Sequence, residues 1–405
     1  MSQRVQSVLL AVVFFALGAV IERTYDSRRA ASQAAVPVAA PQTAASMFAA
    51  AADFDRSNID FSKQPLWAWG KSEPPQPDDK AAPQAAPTGR KLRPNEDPQE
   101  QQRPRRAEGS KAEFSLVDIR DAVNVVDWFP EDHPNPMPDV VKHGPAALTD
   151  QKRGCGSCHL ASGQGRPENA SPAGLPSAYL LRQLSDFKNG LRHNADPRKA
   201  NSNTMIMLAK AMSDAEMKQA AEYFSAAKWI PNVKVVETDL VPKTRIQGEL
   251  FIATSKERTE PIAGRIIEVP ADDVQTETLR NPHAQWIAYV PTGSIKKGKD
   301  LVTLGGMSIV NGEIVQGKTT ACGSCHGENL MGVVPDMPAI AGRSPSYLAR
   351  EIFDIQQGAR TGSNTNVQLM RLAVAKLTPE DIVSIAAYLA SRSTVGESIQ
   401  QVAQR

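Results

Sequence analysis

Cys322-Gly323-Ser324-Cys325-His326 decides how this chain is read, because the same five residues stand earlier as Cys155-Gly156-Ser157-Cys158-His159. C-x-x-C-H is the pattern that attaches a c-type haem. Two thiols one helical turn apart can each form a thioether with a different vinyl group of one porphyrin, and the histidine that follows is carried beneath the ring to bind iron. All four cysteines of the chain fall in the two motifs, so none is left for a disulfide or a nucleophile. A zinc site or a redox dithiol can be built from Cys-x-x-Cys, but neither explains a histidine directly after both pairs. Two covalently bound haem c groups are expected, one held by Cys155, Cys158 and His159, the other by Cys322, Cys325 and His326.

Haem iron needs a sixth ligand or an open face. Downstream of each motif stands a methionine, then an apolar residue four positions on, a large apolar residue seven on, and a hydroxyl residue: Met205, Ala209, Met212 and Ser213, against Met370, Val374, Leu377 and Thr378. The separation from the histidine is closely similar in the two cases. A thioether is a soft ligand suited to haem iron, and His/Met ligation raises the reduction potential. Met205 and Met370 are therefore the candidate sixth ligands, with Met207 a competitor for the first haem. Core packing is the usual fate of methionine; it accounts for Met212 and Met217 but not for the matched positions of Met205 and Met370.

The two motifs belong to an internal repeat. Tyr179, Leu180, Arg182, Leu184, Asp186, Gly190 and Arg192 match Tyr347, Leu348, Arg350, Ile352, Asp354, Gly358 and Arg360 at one constant offset. Apolar residues recur there at helical spacing and a glycine stops each run, which predicts two helices with C-terminal caps. Ser213 with Glu216, and Thr378 with Asp381, are helix starts of the capping-box type. With these matches in hand, the chain resembles a two-domain, di-haem member of the class I cytochromes c over roughly residues 135 to 230 and 294 to 393. The resemblance implies a mainly α fold, each domain a small helical bundle round one haem, with N- and C-terminal helices crossing and a loop methionine on the distal side. It places Gly298, Leu301 and Val302 on the N-terminal helix face that meets the last helix near Tyr388. The equivalent near Val140 to Gly144 is a weak match.

The 405 residues suit two or three domains, and their 5% aromatic content is modest for two separate cores, a gap that two apolar porphyrins would fill. A net charge of only +2 argues against nucleic acid as a partner.

Taken in order, residues 1–29 read as a membrane anchor or signal segment. A helix from Val5 to Ile21 would span about 25 Å, just short of a bilayer core, and no small-x-small cleavage site follows Ile21 directly. Arg23, Arg28 and Arg29 outnumber Arg4, so loop charge does not orient it. The resemblance does, since haem is attached outside the cytoplasmic membrane in that family. The expectation is a single anchor with the haem domains in the periplasm, the alternative a soluble periplasmic protein after cleavage. Residues 30–110 are rich in alanine, proline and charge and read as a low-complexity tether, within which Phe54 to Gly70 packs back on the body or docks a partner. Residues 111–231 are the first haem domain with an N-terminal extension. Residues 232–293 carry short β-type runs broken by Pro242, Gly248, Pro261, Gly264 and Pro270, a small β-rich insert between the haem domains. Residues 294–395 are the second haem domain and 396–405 a tail.

His133, His143, His193 and His283 stand outside the motifs, each isolated, and read as surface or loop residues; His193 is a minor rival as axial ligand. Gly163-Gln164-Gly165 is too short for a phosphate loop and follows no strand. Two six-coordinate haems leave no position for a small-molecule substrate, so the chain is expected to carry single electrons and not to be an enzyme. Its partners would be a quinol-oxidising complex or dehydrogenase as donor and an oxidase or reductase as acceptor in a respiratory chain. The alternatives are a fixed cytochrome subunit of a dehydrogenase or oxidase complex, and a di-haem peroxidase, which would require loss of one methionine ligand.

Overall fold

The computed structural model describes residues 54–65, 67, 75–76, 79 and 91–392. The apolar segment Val5 to Ile21, read as anchor or signal, and the tail at 396–405 lie outside them. Among the described residues no helix is long and apolar enough to cross a membrane.

The fold is the mainly α one expected, with a strand-rich insert. It opens on an extension carrying α1 (Pro98–Gln102) and α2 (Leu116–Ile119). Asp97 caps α1 by accepting from the Gln99 N–H, with Pro98 in the first turn, and Ser115 and Asp118 close a capping box on α2. The first module follows as α3 (Asp139–Lys142), α4 (Gly156–His159), α5 (Ser177–Lys188), α6 (Ala200–Ala211) and α7 (Asp214–Ala226). Ser213 and Glu216 make the expected capping box on α7. Val140 and Val141 of α3 pack against Met217, Tyr223 and Phe224 of α7, so the weakly matched segment does meet the last helix, but as a four-residue turn.

The insert holds β1 (Val233–Glu237), β2 (Leu240–Gln247), β3 (Leu250–Pro261), β4 (Ile267–Pro270) and β5 (Trp286–Val290). β5 is the middle strand, parallel to β1 and antiparallel to β4, while β2 and β3 form a separate hairpin. It braces both modules. Ile266 and Val290 enter the core of the second module, and Glu268 accepts from Ser344 Oγ at 2.7 Å. On the other side Leu279 joins Leu116, Ile119, Trp128 and Phe129 of the extension, and its carbonyl accepts from Trp128 Nε1 at 2.8 Å.

The second module is α8 (Ser294–Leu304), β6 (Ser308–Val310), β7 (Glu313–Val315), α9 (Gly323–His326), α10 (Pro345–Gln356), α11 (Thr365–Val374) and α12 (Pro379–Ser391). Thr378 and Asp381 cap α12 with Pro379 in the first turn. α8 crosses α12 at Gly298, as the resemblance implied: a Cβ there would lie 1.9 Å from the Ser384 carbonyl oxygen. The β6–β7 hairpin is an addition to the helical expectation. Its two-residue turn, Asn311-Gly312, has positive φ at both positions, the geometry that matches the twist of a hairpin.

The modules meet through equivalent positions of the repeat. Arg192 and Arg360 pair as an antiparallel bridge, flanked by His193 N–H to Ala359 C=O and Thr361 N–H to Leu191 C=O, each at 2.9 Å. Equivalent residues facing one another define an approximate two-fold relation, as in an isologous interface.

The 30–110 segment departs from a simple tether in the part described. Ile59, Phe54, Phe61 and Trp67 pack with Ala195, Phe353 and Ala359 from the two modules, and Arg56 donates to the carbonyls of Asn194 and Ala195. Residues 91–110 also fold onto the body. Gln101 is buried and its amide donates to Arg93 and Glu96 carbonyls at 2.9 and 3.0 Å, so a polar side chain anchors a stretch whose composition reads as solvated.

Candidate functional site

Each five-residue motif forms one helical turn on the wall of an apolar cavity. In the first module Cys155, Cys158 and His159 line a cavity of about 150 Å³ with Leu180, Leu184 and Phe187 of α5, Met205 and Leu208 of α6, and Phe224 of α7. In the second, Cys322, Cys325 and His326 line one of about 610 Å³ with Leu348 and Ile352 of α10, Met370 and Val374 of α11, and Ile385 and Leu389 of α12.

The histidines are held in one tautomer. His159 Nδ1 lies 2.8 Å from the Ala170 carbonyl oxygen and His326 Nδ1 2.9 Å from that of Pro338. A carbonyl only accepts, so Nδ1 carries the proton and Nε2 keeps the lone pair a metal needs. Burial pushes both imidazoles below their ordinary pKa, against the opposing carbonyl bond, which keeps them neutral. Burial likewise pushes the Cys155 thiol up to about 12 and the Cys322 thiol up to about 11. These are not thiolates primed for exchange or for zinc, and among the described residues no three His, Cys, Asp or Glu converge as a metal cage. Two thiols, a ligating imidazole nitrogen and a thioether in one apolar lining fit the demands of a haem c.

The rival ligands separate in space. Met205 lines the first cavity; Met207 is buried away from it with Leu148, Leu208 and Ala211. His193 does not line the cavity. It stacks on Phe54 at 4.5 Å between centroids, with Nε2 3.0 Å from the Gly190 carbonyl oxygen, and burial together with Arg56 pushes its pKa down to about 4. The four outlying histidines, read as surface or loop residues, all lie outside helices and strands, but two of them are not at the surface. His193 and His133 are buried, the latter because its Nε2 pairs with Asp127 Oδ1 at 3.1 Å.

The sequence reading missed the wall between the cavities. Tyr179, Gln183, Tyr347 and Glu351 line both. Arg192 donates to Gln183 Oε1 at 3.0 Å and Glu351 Oε1 at 2.9 Å. Arg360 donates to Glu351, to the Tyr179 hydroxyl at 2.9 Å and to Gln183 Oε1 at 2.8 Å. Burial works to raise the Glu351 carboxyl, but the charges of Arg192 and Arg360 outweigh it and hold the group below its ordinary value, ionised. Both arginines were visible as repeat partners, but equivalence within a repeat does not by itself mark a joint.

A family model described as cytochrome c matches residues 141–228 and 312–393. The chain is 37% identical over 75 residues to cytochrome c-554(548) of Halomonas halodenitrificans, covering 18% of this chain and 88% of that protein. It is 26% identical over 249 residues to a thiosulfate dehydrogenase electron acceptor of Thiomonas intermedia, covering 61% of this chain and 82% of that one. A cytochrome c4 of Azotobacter vinelandii is 26% identical over 239 residues, covering 58% and 82%.

Proposed function

The chain belongs to the cytochrome c family and carries two covalent haem c groups, and we propose that it moves single electrons outside the cytoplasm with His159 and Met205 as axial ligands of one haem and His326 and Met370 of the other. Bound there, haem c supplies a one-electron couple. The observation that carries the reading is the pairing, in each cavity, of a histidine whose Nδ1 is committed to a backbone carbonyl with a methionine in the same lining. Were Met205 and Met370 to hold the iron together with His159 and His326, no coordination position would be left for a substrate, and the thioethers would favour the reduced state. Arg192 and Arg360, with Glu351 as their shared acid, stand ready to receive porphyrin carboxylates between the cavities. The donor is a dehydrogenase of the same compartment, and the name of the Thiomonas relative makes a thiosulfate dehydrogenase the first to assay. The acceptor is a terminal oxidase or reductase. The N-terminal apolar segment carries the chain to the cytoplasmic membrane, and sequencing the mature N-terminus tells cleavage from retention.

An optical redox titration of the matured protein, repeated under carbon monoxide, tests the ligation. Two high-potential transitions with no carbon monoxide shift are expected. Carbon monoxide binding at either haem would mark an open position and bring the peroxidase reading forward.

A further inference from the structure

The two motifs are unequally covered. In the first, Gly156 and Ser157 are buried. A Cβ on Gly156 would lie 2.9 Å from Val125 Cγ1, the Gly154 N–H donates to the Ala122 carbonyl at 2.8 Å, and Arg280 Nη1 donates to the Ser157 carbonyl at 2.9 Å. The space left between residues 119–129, Arg280 and this motif is only about 20 Å³. In the second, Ser324 and Cys325 are exposed, and a Cβ on Gly323 would meet nothing nearer than the Glu328 backbone at 3.8 Å. The covering segments are the N-terminal extension and the insert, both outside the stretches matched by the family model, so this cover is a feature added to the shared haem modules.

We propose that Val125 and Arg280 close the thioether edge of the first haem to outside redox partners, so that the chain exchanges electrons with them at the second motif, beside Ser324 and Cys325. The inference rests on the di-haem reading above. A one-electron donor, whether a redox protein or a metal complex, gives up one electron at the second site. Tyr179, Gln183, Tyr347 and Glu351, common to both cavities, form the wall across which that electron reaches the first. The donor is oxidised by one, the first site reduced by one, and no bond is made or broken. Delivery runs the same way in reverse, which makes the first site an interior store filled and emptied through the second.

The test uses the holoprotein, with haem content measured first by the pyridine haemochrome; fewer than two haems would defeat the underlying reading and not this one. A gadolinium chelate is added and haem methyl NMR signals are followed, assigned by contacts to Phe224 for the first haem and to Ile385 and Leu389 for the second. Broadening of the second set alone is expected, and of both sets in Val125→Gly and in Arg280→Ala, either variant sufficing if the other fails to fold. Anaerobic stopped-flow reduction is then run with Fe(II)-EDTA, an anion, and hexaammineruthenium(II), a cation, so that charge steering cannot imitate cover. Reduction of the second haem should rise with reductant concentration while the first follows at a rate that loses this dependence. Equal broadening of both sets in the unaltered protein, a first-haem rate proportional to both reductants, or folded variants that leave the first set sharp would overturn the proposal.

Discussion

Gly298→Ala is a perturbation whose size can be worked from contacts. Gly298 lies in α8 at its crossing with α12, and a Cβ would stand 1.9 Å from the Ser384 carbonyl oxygen, 2.6 Å from its carbon and 2.8 Å from Tyr388 Cβ. Carbon and carbonyl oxygen ordinarily approach to about 3.3 Å, so the helices would have to part by roughly 1.4 Å. Neither obstacle is a flexible side-chain end that could swing away. Replacing a helix-interior glycine by alanine returns about 1 kcal/mol of helix propensity. Overpacking costs about 1–3 kcal/mol, the upper end applying where backbone is struck. The net is a loss of about 2 kcal/mol, which for a folded body of about 300 residues lowers Tm by about 3 °C. The strain also reaches the haem motif, because the Cys322 N–H donates to the Val302 carbonyl of the same helix at 2.8 Å. Thermal unfolding of the holoprotein followed in the Soret band measures it, with the exposed Thr303→Ala on α8 as control. A Gly298→Ala protein melting at or above the unaltered temperature would refute the close crossing.

Met370→Ala should leave haem attached, lower the second midpoint potential and admit carbon monoxide, read by redox titration and difference spectra. Met205→Ala should do the same at the first haem, whereas Met207→Ala, emptying a buried apolar cluster, should cost about 2–5 kcal/mol in denaturant unfolding and leave the spectrum unchanged. Glu351→Gln removes the ionised carboxylate shared by Arg192 and Arg360, so both midpoint potentials should rise; a fall in either contradicts its placement between the cavities. For Asp381, burial works upward but bonds from Lys318, Thr378 and Lys297 prevail and hold the carboxyl at about 2. Its folded pKa is thus below the ordinary value of about 3.9, so its contribution is complete above that value and is lost as pH falls toward 2. Denaturant midpoints of Asp381→Asn should lose this part of the acid sensitivity.

The site was legible where chemistry demands contiguous residues. Covalent attachment needs two thiols on one turn and ligation an imidazole beside them, so Cys155 to His159 and Cys322 to His326 stand out as candidates from sequence, and the capping boxes at Ser213 and Thr378 are equally local. Met205 and Met207 stand two apart on α6 and so point to different faces; only register against Met370 favoured the one that lines the cavity. The β6–β7 hairpin carried its signal in Asn311-Gly312, but strands of three residues are too short to show alternation. Residues 91–110 were hidden for another reason: Gln101 is held by amide-to-carbonyl bonds, which hydropathy does not register.

The joint between the modules was not legible, because a repeat shows which residues are equivalent and not that equivalents touch. Once they do, one difference between the two copies of the repeat gains meaning. Gln183 and Glu351 occupy the same position of the two modules, and each accepts from both Arg192 and Arg360. Two glutamates there would neutralise the two arginines and bring like charges together in a buried space, where repulsion is strong. One glutamate and one amide satisfy the same donors while leaving the pair of guanidiniums with a surplus positive charge. A buried cation without its counter-charge is costly. The broken symmetry therefore makes sense as a joint completed by carboxylates from outside the polypeptide, which the porphyrins of the two cavities would bring.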